Sequence, residues 1–263
     1  MILLDGKTTS SDIKDEITLE VLQLKKEGKK TPHLAAVIVG NNGASRTYVG
    51  AKVKACNRVG FLSTLIELND DITEASLLSK IDELNNNIEI DGFHPTNVGK
   101  MALNLPTFIS ATPYGILELL ERYKVETSGK HVVVIGRSHI VGSPMSILLS
   151  QKRTVGNATV TITHSRTRNL KEITLQADIV IAALGIPEFL TEDMVKNNVT
   201  VIDVGITRVE DTSKKSGYRL LGDVAFDEVS KKAAYITPVP GGVGPMTIAM
   251  LLKNTLLASK NNN

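Results

Sequence analysis

Apolar and polar positions divide the chain into two stretches of different character. From Thr9 to Glu27, Ile13, Ile17, Val21, Leu22 and Leu24 recur at mostly helical spacing behind Ser10 and Ser11, which predicts a surface helix with a serine start signal. "HLAAVIVG", His33 to Gly40, is a short apolar run closed by glycine and predicts a strand. Gly43 to Val59 returns to helical spacing, "FLSTLIEL" predicts a second strand, and Thr73 to Leu84 a further helix. The first stretch thus predicts helix, strand, helix, strand, helix.

After residue 110 the pattern is clearer. "TPYGILELLERY" predicts an amphipathic helix opened by Thr112 with Pro113 in its first turn. "HVVVIG", "ATVTITH", "ADIVIAALG" and "VTVIDVGI" are four nearly all-apolar runs rich in valine and isoleucine. Runs that apolar predict parallel strands covered on both faces, so the chain is α/β. "TIAMLLKNTLLAS", Thr247 to Ser259, predicts a closing helix, and no internal repeat, coiled coil or low-complexity linker interrupts the series.

The 263 residues suffice for two modest domains or one large one. Thirty basic against 28 acidic side chains, without basic runs, make nucleic acid a poor partner. Cys56 is the single cysteine, so no internal disulfide forms and it reads as a small core residue. No His/Cys cluster has zinc-ligand spacing, and no metal is expected. The N-terminus has no basic n-region or long apolar h-region, and no apolar run reaches the roughly 18 residues of a membrane span. These features predict a cytoplasmic protein.

"VVVIGRSHIVGSPMSILL" sets Gly136 at the end of an apolar strand, Gly142 six residues later, and Pro144 near the start of a helix. A strand, glycine turn and helix let backbone N–H groups and a helix N-terminus meet a pyrophosphate. The spacing is not GxGxxG, and a glycine turn that binds nothing would look the same. The next strand ends in "THSRT", with no acidic residue where a Rossmann fold meets the adenosine ribose. Ser165, Arg166 and Arg137 offer a hydroxyl and two guanidinium groups to a 2′-phosphate instead, which favours NADP over NAD. In "IDVGI", Gly205 and Ile206 come after a strand and would stand beside the nicotinamide at the sheet's carboxyl edge.

Together "GRSHIVGSP", "DGFHPTNVGK", "ATPYGI" and "PGGVGPMTIAMLLKNT" resemble the bifunctional methylenetetrahydrofolate dehydrogenase/methenyltetrahydrofolate cyclohydrolase family over almost the whole chain. The resemblance implies a Rossmann-type, doubly wound parallel sheet binding NADP over 112–236. It also implies a smaller α/β folate domain, 1–111 and 237–263, completed by the C-terminal helix. It implies oxidation of 5,10-methylenetetrahydrofolate and hydrolysis of the methenyl product to 10-formyltetrahydrofolate, in one-carbon metabolism and purine biosynthesis, by a homodimer. Its catalytic pair falls on Tyr48 and Lys52 in "SRTYVGAKVKA", four apart and so on one face of the predicted helix. Asp91 would bind the amino-pyrimidine edge of the pterin. Pro240, Gly241, Gly242 and Val243 would form the folate-side loop, and Gly136, Arg137, Ser138, Gly142, Ser165, Arg166 and Ile206 the cofactor side.

The sequence departs from the family between Ile88 and Phe93. The family carries two Asp-Gly sites here, one leading into Gln-Leu-Pro-Leu-Pro and one just before Phe-His-Pro. In "IEIDGFHPTNVGK" a single Asp-Gly, placed like the first, runs directly into the Phe-His-Pro that belongs to the second. Roughly one strand and one helix are absent, by ordinary element lengths. The glutamine so lost is the family's partner for the catalytic lysine. Two readings stand: a true deletion, or a disordered segment left out of the sequence. A deletion puts the cyclohydrolase in question and leaves, as an alternative, an impaired dinucleotide-binding protein or scaffold.

Overall fold

The computed structural model describes residues 1–87, 90, 96–214 and 217–261. In chain order the first elements are β1 (Ile2–Leu3), α1 (Gly6–Lys26), β2 (His33–Val39), α2 (Gly43–Val59), β3 (Leu62–Leu68), α3 (Glu74–Asn85) and α4 (Thr96–Ala102). Next come α5 (Ala111–Arg122), β4 (His131–Ile135), α6 (Gly142–Ser150), β5 (Thr159–Thr163), α7 (Leu170–Leu175) and β6 (Ile179–Ala182). The chain ends with β7 (Thr200–Asp203), β8 (Thr207–Glu210), β9 (Tyr218–Leu221), α8 (Phe226–Val229), β10 (Tyr235–Ile236) and α9 (Val243–Asn261). It packs as two units, Met1–Thr9 with Val98–Thr247, and Ser10–Asn97 with Ile248–Asn263.

The larger unit holds a six-stranded sheet in the order β1-β10-β7-β6-β4-β5, every neighbouring pair parallel. β6 and β7 are buried at every position and β4 at all but His131, the burial that runs of valine and isoleucine require. One side of the sheet packs Ile116, Leu120, Met145, Leu148 and Leu149 against Val132, Val134, Ile179, Ile181 and Ile202. The other packs Val133, Ile135, Val180 and Val201 against Leu190, Val199 and Val229.

Four details differ from the sequence pattern. β5 is an edge strand with Thr159 and Ile162 exposed, so its threonines alternate along a surface rather than inside a covered strand. The two-residue strands β1 and β10 and the antiparallel hairpin β8–β9 leave no periodic signal. α5 begins at Ala111, and Thr112 lies inside its first turn with its hydroxyl 3.1 Å from that of Thr247. Residues 1–9 group with the larger unit, because β1 pairs with β10 and Leu4 is fully buried in the same core as Ile116 and Val243. The stretches 98–111 and 237–247 group there as well.

In the smaller unit, β2 pairs with β3 in parallel over seven positions, a two-stranded sheet. Its buried residues include Ile13, Ile17, Val21 and Leu24 of α1, Leu34 and Ile38 of β2, and Val49, Cys56 and Val59 of α2. Burial holds the Cys56 thiol up at about 11. β3 and α3 bury no residue at all. α3 is well begun, its Thr73 hydroxyl accepting the Ser76 N–H at 3.2 Å. Its apolar residues Leu77, Leu78, Ile81 and Leu84 nonetheless keep helical spacing with no covering layer among the described residues, and Leu78 is 52% exposed. No described helix is long and apolar enough to cross a membrane.

Candidate active site

The carboxyl ends of β5, β4, β6, β7 and β10 lie in a row, and the loops leaving them carry most of the residues singled out by sequence. From β4 the chain passes through α6 to β5 on one side and then through α7 to β6 on the other, so the strand order reverses beside β4. Open α/β sheets bind ligands at such a reversal, outside the carboxyl ends.

The turn after β4 is shaped by close backbone approach. A Cβ on Gly136, which has φ 117°, would lie 2.1 Å from the Ala183 carbonyl oxygen, and one on Gly142 would lie 2.1 Å from the Gly136 oxygen. Only glycine lets α6 begin this near the sheet edge. The Ser138 hydroxyl accepts the N–H groups of Val141 at 3.1 Å and Gly142 at 3.4 Å, so this predicted cofactor contact caps the approach to α6. Arg137 beside it is exposed.

β5 pairs with β4 in register, Thr163 opposite Ile135, so the turn holding Ser165 and Arg166 leaves the sheet next to the turn holding Arg137. Ser165 and Arg166 are exposed, and no carboxylate ends β5. Two guanidinium groups and a hydroxyl at adjacent strand ends form a donor set that fits a 2′-phosphate. Ile206, after β7, is 62% exposed. After β10, Pro240 is exposed, Gly241 accepts the Lys7 N–H at 2.8 Å, Gly242 donates to Pro238 O at 2.8 Å, and Val243 opens α9.

Sequence reasoning missed Asp203 and Asp223, both buried at this edge. Asp203 Oδ1 accepts the N–H groups of Gly205 at 2.9 Å and Asp223 at 2.8 Å, and Oδ2 that of Val224 at 3.0 Å. Asp223 Oδ2 accepts those of Leu184 and Gly185, each at 2.8 Å. The available signal was a carboxylate at the end of an apolar run with glycine within two residues, "VIDVG" and "LLGDV". A charge enters a buried edge only where donors wait for it.

In the smaller unit, Tyr48 and Lys52 share one face of α2, and the Lys52 ammonium lies 4.5 Å from the centre of the Tyr48 ring. Lys52 is half-buried, and desolvation lowers its pKa below the ordinary lysine value, against an opposing pull from Cys56. Burial raises that of Tyr48. A lysine whose pKa is lowered by desolvation releases its proton more readily than an exposed one, which is what a proton-handling group needs. Asp91 lies outside the described residues.

Residues 4–94 match the profile of the tetrahydrofolate dehydrogenase/cyclohydrolase catalytic domain, and residues 110–263 that of the NAD(P)-binding domain of the same family. The bifunctional protein FolD of Flavobacterium johnsoniae is 62% identical, with 99% of this chain and 98% of that protein covered. That of Bacteroides thetaiotaomicron is 54% identical over 99% and 98%. The match to the first runs over 288 aligned positions, 25 more than this chain has residues. The crystal structure of the FolD methylenetetrahydrofolate dehydrogenase/cyclohydrolase from Campylobacter jejuni superposes with a TM-score of 0.92 at 43% identity, covering 100% of both chains. The Trypanosoma brucei enzyme, solved with NADP cofactor and inhibitor, gives 0.93 at 36% identity over 99% of this chain and 98% of that one. The chain belongs to the tetrahydrofolate dehydrogenase/cyclohydrolase family.

Proposed function

We propose that this chain oxidises 5,10-methylenetetrahydrofolate with NADP and hydrolyses the methenyl product to 10-formyltetrahydrofolate, the second step weakened by the missing segment. The observation that carries this reading is the Lys52–Tyr48 pair on α2, the lysine half-buried, in a chain whose two halves both match the family. Bound NADP supplies hydride acceptance; the protein's part is to orient it and keep water away. Gly136, Gly142 and Ser138 shape the pyrophosphate turn, Arg137, Ser165 and Arg166 meet the 2′-phosphate, and Ile206 flanks the nicotinamide. Asp91 and the loop Pro240–Val243 hold the folate. Residues 112–236 serve the cofactor, and 1–111 with 237–263 the folate.

In hydrolysis, water oxygen bonds to the cationic methenyl carbon, the bond from that carbon to N5 breaks, and of the water's two protons one passes to N5 and the other is released as the formyl C=O forms. Lys52, its pKa lowered by burial, is the group suited to carry the proton to N5, with Tyr48 shaping the space around it. A cytoplasmic homodimer is the assembly this reading expects. Lys52→Met should remove conversion of methenyl to formyl folate, a loss of about 10²–10⁴-fold for a proton-transfer group, and leave NADP binding unchanged. A folded Lys52→Met protein that no longer binds NADP would show that the residue's role is misassigned.

A second reading, a dinucleotide-binding protein with an impaired catalytic unit, is favoured by one observation: β3 and α3 bury nothing.

A further inference from the structure

Asp203 and Asp223 are 3% and 0% exposed, and among the described residues neither forms an ion pair. Two buried carboxylates without a cation are costly unless fully hydrogen-bonded. Here five backbone N–H groups supply the bonds, and they come from three separate segments: Leu184 and Gly185 after β6, Gly205 after β7, and Asp223 with Val224 after β9. Thr237 adds a fourth strand end, its hydroxyl accepting the Asp203 N–H at 2.7 Å. The packing leaves no slack. A Cβ on Gly205 would sit 2.2 Å from Asp223 Oδ1, and one on Gly222 would sit 1.9 Å from Asp203 Oδ2. Asp223 Oδ1 itself has no hydrogen-bond partner, so this carboxylate gains only two bonds for its burial. The segments it joins begin the loops where Ile206 and the stretch from Thr237 to Val243 leave the sheet.

We infer that Asp203 and Asp223 are positioning residues for the nicotinamide half of the cofactor: a paired carboxylate brace that locks the loops after β6, β7 and β9 into one arrangement. The inference rests on the cofactor reading above. Removing a brace loosens the loops it joins and leaves the phosphate turn after β4 and the basic corner after β5 as they were, since neither bonds to it.

The test compares two probes by calorimetry: NADPH, and adenosine 2′,5′-bisphosphate, which keeps the 2′-phosphate corner and lacks nicotinamide. In Asp223→Ala the bisphosphate should bind within about threefold of wild type, while NADPH weakens about tenfold or more. The fluorescence anisotropy of bound NADPH, which reports motion of the nicotinamide ring, should fall as well. Asp223→Asn retains an oxygen for the Leu184 and Gly185 N–H groups and should restore both signals. Should the alanine variant fail to fold, Gly205→Ala displaces the same carboxylate from the other side and should reproduce the loss. Equal weakening of both probes, or no change in either, overturns the brace. Wild-type protein that binds neither probe overturns it together with the cofactor reading, and that result is distinct because no variant is needed to see it.

Discussion

The two parallel sheets of this protein are written in similar residues and sit in different circumstances. β6 and β7 of the larger unit are buried at every position, with neighbours on both edges and helices on both faces. β2, "HLAAVIV", is as apolar as either, yet only Leu34 and Ile38 along it are buried, and its partner β3 buries nothing. Leu62 and Leu65 of β3 stay 51% and 44% exposed. The contrast teaches that apolar patterning records the neighbours a strand evolved beside, whether or not they remain. The relatives' alignment, 25 positions longer than the chain, agrees with a neighbour removed.

The largest expected effect comes from supplying that neighbour. Inserting a strand and helix bearing Gln-Leu-Pro-Leu-Pro between Gly92 and Phe93 should raise methenyl hydrolysis about 100-fold or more, the scale of a restored proton-transfer group. Rates equal to those of the intact relatives in the 263-residue chain itself would break the comparison.

Next in size are paired core truncations. Ile181→Ala in β6, fully buried, should cost about 2–5 kcal/mol. That is a large part of the roughly 5–15 kcal/mol available to a domain. Leu65→Ala in β3 should change stability by no more than about 0.5 kcal/mol, as at a surface position. Denaturant melts of the two variants check both values, and equal losses would mean that β3 has a cover.

A smaller effect sharpens the cofactor side. Alanine at both Arg137 and Arg166 should raise the Michaelis constant for NADP about tenfold, with that for NAD nearly unchanged. Similar changes for both cofactors would remove the arginines from the 2′-phosphate.

The smallest concerns pH. Desolvation pushes Asp203 up to about 7 from its ordinary 3.8, against the N–H bonds from Asp223, Gly205 and Val224. The folded protein therefore takes up this proton more readily than the unfolded chain. That contribution is full below about pH 4 and is lost as pH rises toward 7. Asp203→Asn should flatten this part of the stability profile, which thermal melts from pH 4 to 8 would resolve; an unchanged slope would place Asp203 elsewhere in the titration.

Much of this was legible in the sequence. The strands from β4 to β7 were plain because an all-apolar run between loops has few other uses, and α2 and α3 because their apolar spacing is long enough to repeat. β1 and β10 were not, since two residues carry no period and their pairing is decided by what lies beside them. The arginines and glycines at the sheet edge could be named because strand ends predict them. Asp203 and Asp223 could not, because a single carboxylate after a strand gives no sign of how many N–H groups from distant segments will converge on it.

Hydrogen exchange read strand by strand tests the contrast between the two units most directly. Amides of β4, β6 and β7 should exchange only through global unfolding and slow further when NADP is added, whereas those of β3 and α3 should exchange through local opening at little free-energy cost and show no such slowing. Protection of β3 equal to that of β6 would contradict the account.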